Sequence, residues 1–269
     1  MDYLRVAAAV PKVRPGAVKE NTASICALIE RAAKKGAAAV VFPELSITGY
    51  TCADMFYRSD LLAAAECALE TIAAQTPITA IVGLPYRIDG KLYNCAAVIN
   101  DRGIQGIVPK TFLPNTREFY EARWFTSAMA MGGNNQLFEV KGVKFGVEIC
   151  EDMWAPIPPS SYLALKGAQI IFNLSASNEL IGKADYRRSL VTGLSARLNC
   201  GYVYAGAGVG ESTTDLVFGG HTIIAENGTV LAEGKRFQRE PELTLADVDV
   251  DFLNFERREN YAFRMLASN

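Results

Sequence analysis

The sequence has 269 residues, with 27 Lys and Arg against 29 Asp and Glu for a formal charge of −2; half of the residues are apolar and 21% are charged. This is the composition of a globular chain long enough to bury a large core. It has neither the basic excess of a nucleic-acid binder nor an apolar run of the roughly 18 residues that a membrane helix needs, so neither partner is expected.

The N-terminus has an acid at Asp2 and no basic leader, so no secretory signal is read and a cytoplasmic location is expected. Residues 4–10 form a β-like run ending at Pro11, and Pro15-Gly16 marks a turn. Ile25, Leu28, Ile29 and Ala32 recur at helical spacing over 18–35, with a stop at Gly36. A strand over 37–42 is broken by Pro43, so the first stretch reads β-α-β. A helix over 61–74 and a strand over 78–84 follow. Strands over 91–99 and 103–109 pair across the turn residues Asn100-Asp101-Arg102-Gly103. Residues 136–140 and 143–149 flank Lys141-Gly142 as another hairpin. A helix over 160–166, a strand over 168–174, a helix over 186–199 and a strand over 201–207 continue the alternation. Asn227-Gly228 joins strands 221–225 and 230–232. A strand over 243–250 and a short helix over 252–259 close the pattern. No linker, repeat or low-complexity segment divides the chain, so one α/β domain with helices covering sheets is expected.

The single histidine, His221, excludes zinc sites built on several histidines and leaves one imidazole for any histidine-dependent catalysis. The six cysteines are Cys26, Cys52, Cys67, Cys95, Cys150 and Cys200. No two of them form a C-x-x-C pair, and they read as reduced, mostly buried thiols. Three reactive side chains follow apolar strands: Glu44 after Val40-Val41-Phe42-Pro43, Lys110 after Ile107-Val108-Pro109, and Cys150 after Phe145-Gly146-Val147-Glu148-Ile149. In α/β folds, sites assemble at the carboxyl ends of strands. A carboxylate, an ammonium and a thiol make a catalytic set without histidine. The ammonium lowers the thiol pKa and stabilises an oxyanion, and the carboxylate takes the proton. Attack on an amide then gives a thioester that water hydrolyses.

These residues sit in Phe42-Pro43-Glu44-Leu45-Ser46-Ile47-Thr48-Gly49-Tyr50, Lys110-Thr111-Phe112-Leu113-Pro114-Asn115 and Gly146-Val147-Glu148-Ile149-Cys150-Glu151-Asp152, and the ordered triplet resembles the nitrilase superfamily of carbon–nitrogen hydrolases. The resemblance implies a four-layer α-β-β-α sandwich. It implies Glu44 as general base, Lys110 as oxyanion stabiliser, Cys150 as nucleophile and Glu121 as a second glutamate that orients the lysine or handles protons.

The runs 110–115, 118–125, 150–154 and 173–188 are also similar to the glutaminase domains of glutamine-dependent NAD synthetases. That similarity implies hydrolysis of the glutamine side-chain amide, with Tyr50 and Trp154 walling the slot. Glu151 would meet the substrate ammonium, and Ser177 and Lys183 its carboxylate. Thr116 stands where many members have a tyrosine lining that slot. No cofactor is implied for this domain. ATP and Mg belong to a synthetase domain whose Ser-Gly-Gly-x-Asp-Ser loop this sequence lacks. The expectation is one amidase domain over 1–269 that passes ammonia to a synthetase domain or chain and assembles as a homo-oligomer. Another amidase of the superfamily, such as an ω-amidase or carbamoylase, and a non-catalytic scaffold are the alternatives. His221 and the other five cysteines are read as structural, and Arg187 and Arg188 as partners of acids.

Overall fold

Side-chain alternation along the first strand sets the architecture. In β1 (Tyr3–Val10), Ala7 and Ala9 point to one apolar layer, and Val6 and Ala8 to another. A strand whose two faces are both apolar must be covered on both sides. The computed structural model describes residues 3–268. It satisfies this requirement with two six-stranded sheets packed face to face and helices outside each.

The first sheet has the order β12-β1-β2-β3-β4-β5. Its members are β1, β2 (Ala39–Val41), β3 (Thr79–Ile88), β4 (Lys91–Asn100), β5 (Gly103–Pro109) and β12 (Glu242–Asp249). The second has the order β11-β10-β9-β8-β7-β6. It contains β6 (Phe138–Val140), β7 (Val143–Ile149), β8 (Ile170–Ser175), β9 (Gly201–Gly206), β10 (Thr222–Glu226) and β11 (Thr229–Glu233). Both sheets repeat one pairing pattern: an antiparallel edge, two parallel pairs, then two antiparallel pairs. This topological repeat has no counterpart that the sequence reading detected.

Helices α1 (Val18–Lys34) and α2 (Ser59–Gln75) bury Ile25, Leu28, Ile29, Leu61, Leu69 and Ile72 against the outer face of the first sheet. Helices α3 (Pro159–Leu165) and α4 (Lys183–Arg197) cover the second with Leu163, Val191 and Leu194. The inter-sheet layer holds Val6, Val41, Ile81 and Val98 against Phe145, Val147, Phe172 and Leu174. The result is the expected four-layer α-β-β-α sandwich. Helices α5 (Val250–Glu259) and α6 (Tyr261–Ala267) end the described chain. No described helix is long and apolar enough to cross a membrane.

Several boundaries differ from the sequence reading. Strand β3 runs to Ile88 through Pro85, and β2 keeps only Ala39–Val41 of the expected 37–42. Helix α4 begins at Lys183 because Gly182, at φ +78°, turns the chain into it, so Lys183 stands on its first turn. Helix α6 and the short 3-10 helices were not anticipated. The thiols are mostly buried, as expected; Cys67 is exposed and Cys26 only partly buried because both lie on the outer helices.

Candidate active site

Glu44 leaves β2 after Pro43 and lies on the first sheet at Gly83. A Cβ at Gly83 would stand 2.3 Å from the Leu45 nitrogen and 2.7 Å from the Pro43 carbonyl oxygen, so only glycine lets this loop approach. Leu45 itself takes φ +51°. Lys110 follows β5, where its backbone N–H donates to the Asn94 carbonyl at 2.8 Å. Cys150 follows β7 at φ +48° and opens the 3-10 helix Cys150–Trp154. Left-handed backbone at two buried non-glycine residues costs on the order of 1 kcal/mol each, and such strain concentrates at functional positions.

The three loops converge. Lys110 Nζ donates to Glu44 Oε1 at 2.5 Å and to Glu121 Oε1 at 2.7 Å, with all three side chains almost completely excluded from solvent. The Tyr50 hydroxyl donates to Glu121 Oε1 at 2.9 Å, and Asn94 Nδ2 donates to Glu44 Oε1 at 2.6 Å. The Ala176 N–H donates to Glu44 Oε2 at 2.8 Å and also faces the Cys150 sulfur. Oε1 of Glu44 is thus tied by two donors, and Oε2 by the Ala176 N–H that also neighbours the sulfur. The Asp152 carboxylate joins the lysine and cysteine loops. It accepts from the N–H of Phe112 at 2.7 Å, of Thr111 at 3.1 Å and of Ile149 at 3.0 Å.

Burial pushes the Cys150 thiol up and Glu44 adds to the rise, while Lys110 pulls it down, in the expected direction but by less than burial. The balance favours the neutral thiol. Burial would lower Lys110, but Glu121 and Glu44 outweigh it and hold the ammonium well above its ordinary range. Burial raises Glu121 to about 7 against the pull of Lys110. Burial likewise raises Asp152 to about 8 despite its backbone donors.

Cys150 forms part of the floor of a cavity of about 510 Å³, large enough for a small molecule. Thr116, Glu151, Trp154, Ser177 and Lys183 line it as well. Lys183 Nζ donates to Asn178 Oδ1 and lies 5.5 Å from the Trp154 ring centroid and 6.0 Å from that of Phe119. No carboxylate forms a salt bridge with it among the described residues. Glu151 is half-buried, and burial raises its carboxyl. Tyr50 does not line this cavity. It lies below, on Glu121, and opens on an adjoining cleft shared with Phe119 and Trp124.

Arg187 is fully buried. It pairs with Glu179 at 2.9 Å and donates to His221 Nδ1 at 2.9 Å, which leaves the His221 Nε2–H to donate to Glu233 at 2.7 Å. Arg188 pairs with Asp185 and Glu233. Asn94, Asp152, Glu118 and Phe119 were not singled out from sequence. Asn94 offered a signal, since its place in β4 puts it on the same face as Ala96 and Val98, where a polar side chain needs a partner. Among the described residues, no group of three or more His, Cys, Asp or Glu side chains is placed to hold a metal ion.

The family model for carbon-nitrogen hydrolases matches residues 5–255. The chain belongs to this family. It is 40% identical over 274 residues to the glutamine-dependent NAD(+) synthetase of Mycobacterium tuberculosis, covering 95% of this chain and 40% of that protein. The crystal structure of a glutamine-dependent NAD(+) synthetase from Cytophaga hutchinsonii superposes with a TM-score of 0.82 at 30% identity, over 95% of this chain and 45% of that one. An amidase from Nesterenkonia shares the fold at a TM-score of 0.79 and 21% identity, over 96% of this chain and 98% of that one. The chain thus spans less than half the length of the synthetases it matches.

Proposed function

We propose that this carbon–nitrogen hydrolase cleaves the side-chain amide of glutamine to glutamate and ammonia. The observation that carries the reading is the convergence of Glu44, Lys110 and Cys150 beneath a cavity that holds both a cation and a carboxylate. Lys183, without a carboxylate partner among the described residues, suits the α-carboxylate of an amino acid. Glu151 suits its ammonium, and Ser177 and Thr116 supply polar edges beside Trp154.

The residues then act in sequence. The Cys150 sulfur attacks the amide carbon while Glu44 Oε2 takes its proton. Lys110 has three N–H donors, two of them spent on Glu44 and Glu121, and the third meets the oxyanion. Glu121 orients the ammonium. Collapse breaks the C–N bond, and Glu44 returns the proton to the leaving nitrogen as ammonia departs. A water, deprotonated by Glu44, cleaves the thioester and restores the thiol.

The likeness to the N-terminal part of longer synthetases supports a single amidase domain whose ammonia serves a synthetase module, the one that would use ATP and Mg. Self-association through a surface of the sandwich belongs to the same reading. The test is ammonia release from glutamine, from α-keto amides and from short neutral amides, with Cys150→Ala as control. Preference for glutamine, lost in the variant, supports the proposal. Preference for a neutral amide overturns the assignment of substrate.

A further inference from the structure

The two carboxylates of the site share more than the lysine. Asn94 Nδ2 donates to Glu44 Oε1 at 2.6 Å and to Glu121 Oε2 at 3.3 Å. Its backbone carbonyl accepts the Lys110 N–H at 2.8 Å, so one residue grips three members of the cluster. It stands on β4, an element that contributes none of the reactive side chains. It is completely buried, and its Oδ1 has no hydrogen-bond partner. An unpaired buried carbonyl is costly, and a leucine would fill the same space without that cost. The amide has one favourable orientation, because turning it over would aim its oxygen at two carboxylates. Asn94 thus gives up one polar atom to supply a donor to both.

We propose that Asn94 is a positioning residue for the hydrolysis: its amide bridges Glu44 and Glu121, locks Glu44 Oε1 and thereby turns Oε2 toward the Cys150 sulfur. This rests on the reading of Glu44 as base and Cys150 as nucleophile. The groups that face the bridged carboxylates are Lys110, Tyr50, Cys150 and the Ala176 N–H, with Glu151 coupled from the cavity side. Among the described residues, Lys110 is the sole cation directly bonded to the two carboxylates. Asn94 adds a donor without adding charge, so it holds the carboxylates oriented while leaving the lysine free to turn its third N–H to the substrate. Removing that donor frees Glu44 Oε1 to turn, and Oε2 then loses its fixed place beside the nucleophile.

The test uses Asn94→Leu, which keeps the volume and removes the donor, and Asn94→Asp, which faces the pair with a third carboxyl. Both are compared with the parent protein in ammonia release from glutamine between about pH 5 and about pH 9. The rate of Cys150 alkylation by iodoacetamide is followed by peptide mass spectrometry alongside, and needs no assumption about substrate. For Asn94→Leu the expected result is a kcat about 10- to 100-fold lower with KM within about threefold. Alkylation of Cys150 slows in parallel at every pH. Asn94→Asp is expected to lose more. Should the leucine variant not fold, Asn94→Ser, which removes the bridge without adding bulk, carries the same test. A lower melting temperature with unchanged kcat and unchanged alkylation rate would overturn the proposal and leave Asn94 a packing residue. If the parent protein itself neither releases ammonia nor alkylates selectively at Cys150, the underlying reading of the site fails instead.

Discussion

Replacing Lys110 by Met removes the one ammonium between two buried carboxylates while roughly keeping the side-chain volume. In the parent protein that ammonium is held at 2.5 Å by Glu44 and at 2.7 Å by Glu121, with no solvent access. Taking one partner from a buried ion pair typically costs roughly 3–5 kcal/mol, because the charge left behind is uncompensated. For a chain of this size that corresponds to a melting temperature lower by about 5–9 °C. The loss depends on pH, and its sign follows from proton linkage. Lys110 is what pulls Glu121 down, so without it the folded-state carboxyl rises beyond about 7, while the unfolded value stays near 4.5. The folded variant then binds a proton that the unfolded chain releases. Its stability is full below the unfolded value and is lost as pH rises through the folded one. Differential scanning calorimetry of both proteins from about pH 5 to about pH 9 reads this directly: the gap in melting temperature is level up to about pH 7, where the parent's Glu121 also still holds its proton, and widens above it. Ammonia release falls by at least about 100-fold at every pH, since the oxyanion donor is gone. A gap that stays constant across the range, or a variant that retains turnover, would show that this lysine neither holds the Glu121 carboxyl down nor serves turnover.

Other consequences follow from the same geometry. Lys183→Met is expected to raise KM for glutamine about 10-fold or more while changing the KM of a short neutral amide little, measured by ammonia release. Asp152→Asn replaces one acceptor oxygen of the strap between the lysine and cysteine loops by a donor. It should lower stability by about 1–3 kcal/mol in urea titration, and kcat more than KM. Gly83→Ala brings a Cβ within 2.3 Å of the Leu45 nitrogen, so the Glu44 loop must move. Its melting temperature and its kcat should both fall, whereas Gly90→Ala, where the Cβ would meet nothing within 4 Å, should cost only the strain of φ +76° and leave kcat unchanged.

The alternation of strands and helices was legible because many strands are short apolar runs, several of them ended by Gly, Pro or Asn. The three reactive residues were legible because each stands directly after such a run. The failures have local causes. The strand expected over 78–84 stops before Pro85, yet β3 continues through it in register with Asn94. Tyr50 was read as a wall of the cavity, but Gly49, at φ +92°, and the Glu211 carboxylate accepting the Tyr50 N–H at 2.7 Å turn that loop so that the hydroxyl reaches Glu121. Asn94 was missed because its partners lie 50 and 27 positions away, a distance no pattern in a single strand encodes. The burial acting on Cys150 was out of reach for the same reason. A neighbouring lysine can be guessed from a motif, but the depth of burial that outweighs it comes from the packing of two sheets.

The central claim is that a neutral thiol at Cys150, with its proton drawn off by Glu44, forms a covalent bond to an amide carbon. Acid quenching of the protein during turnover with excess glutamine, followed by peptide mass spectrometry, measures that bond. The account predicts an adduct equal in mass to glutamine less ammonia on the peptide carrying Cys150, removed by hydroxylamine and absent in Cys150→Ala. Steady ammonia release with no adduct on Cys150, undiminished in the alanine variant, would contradict it.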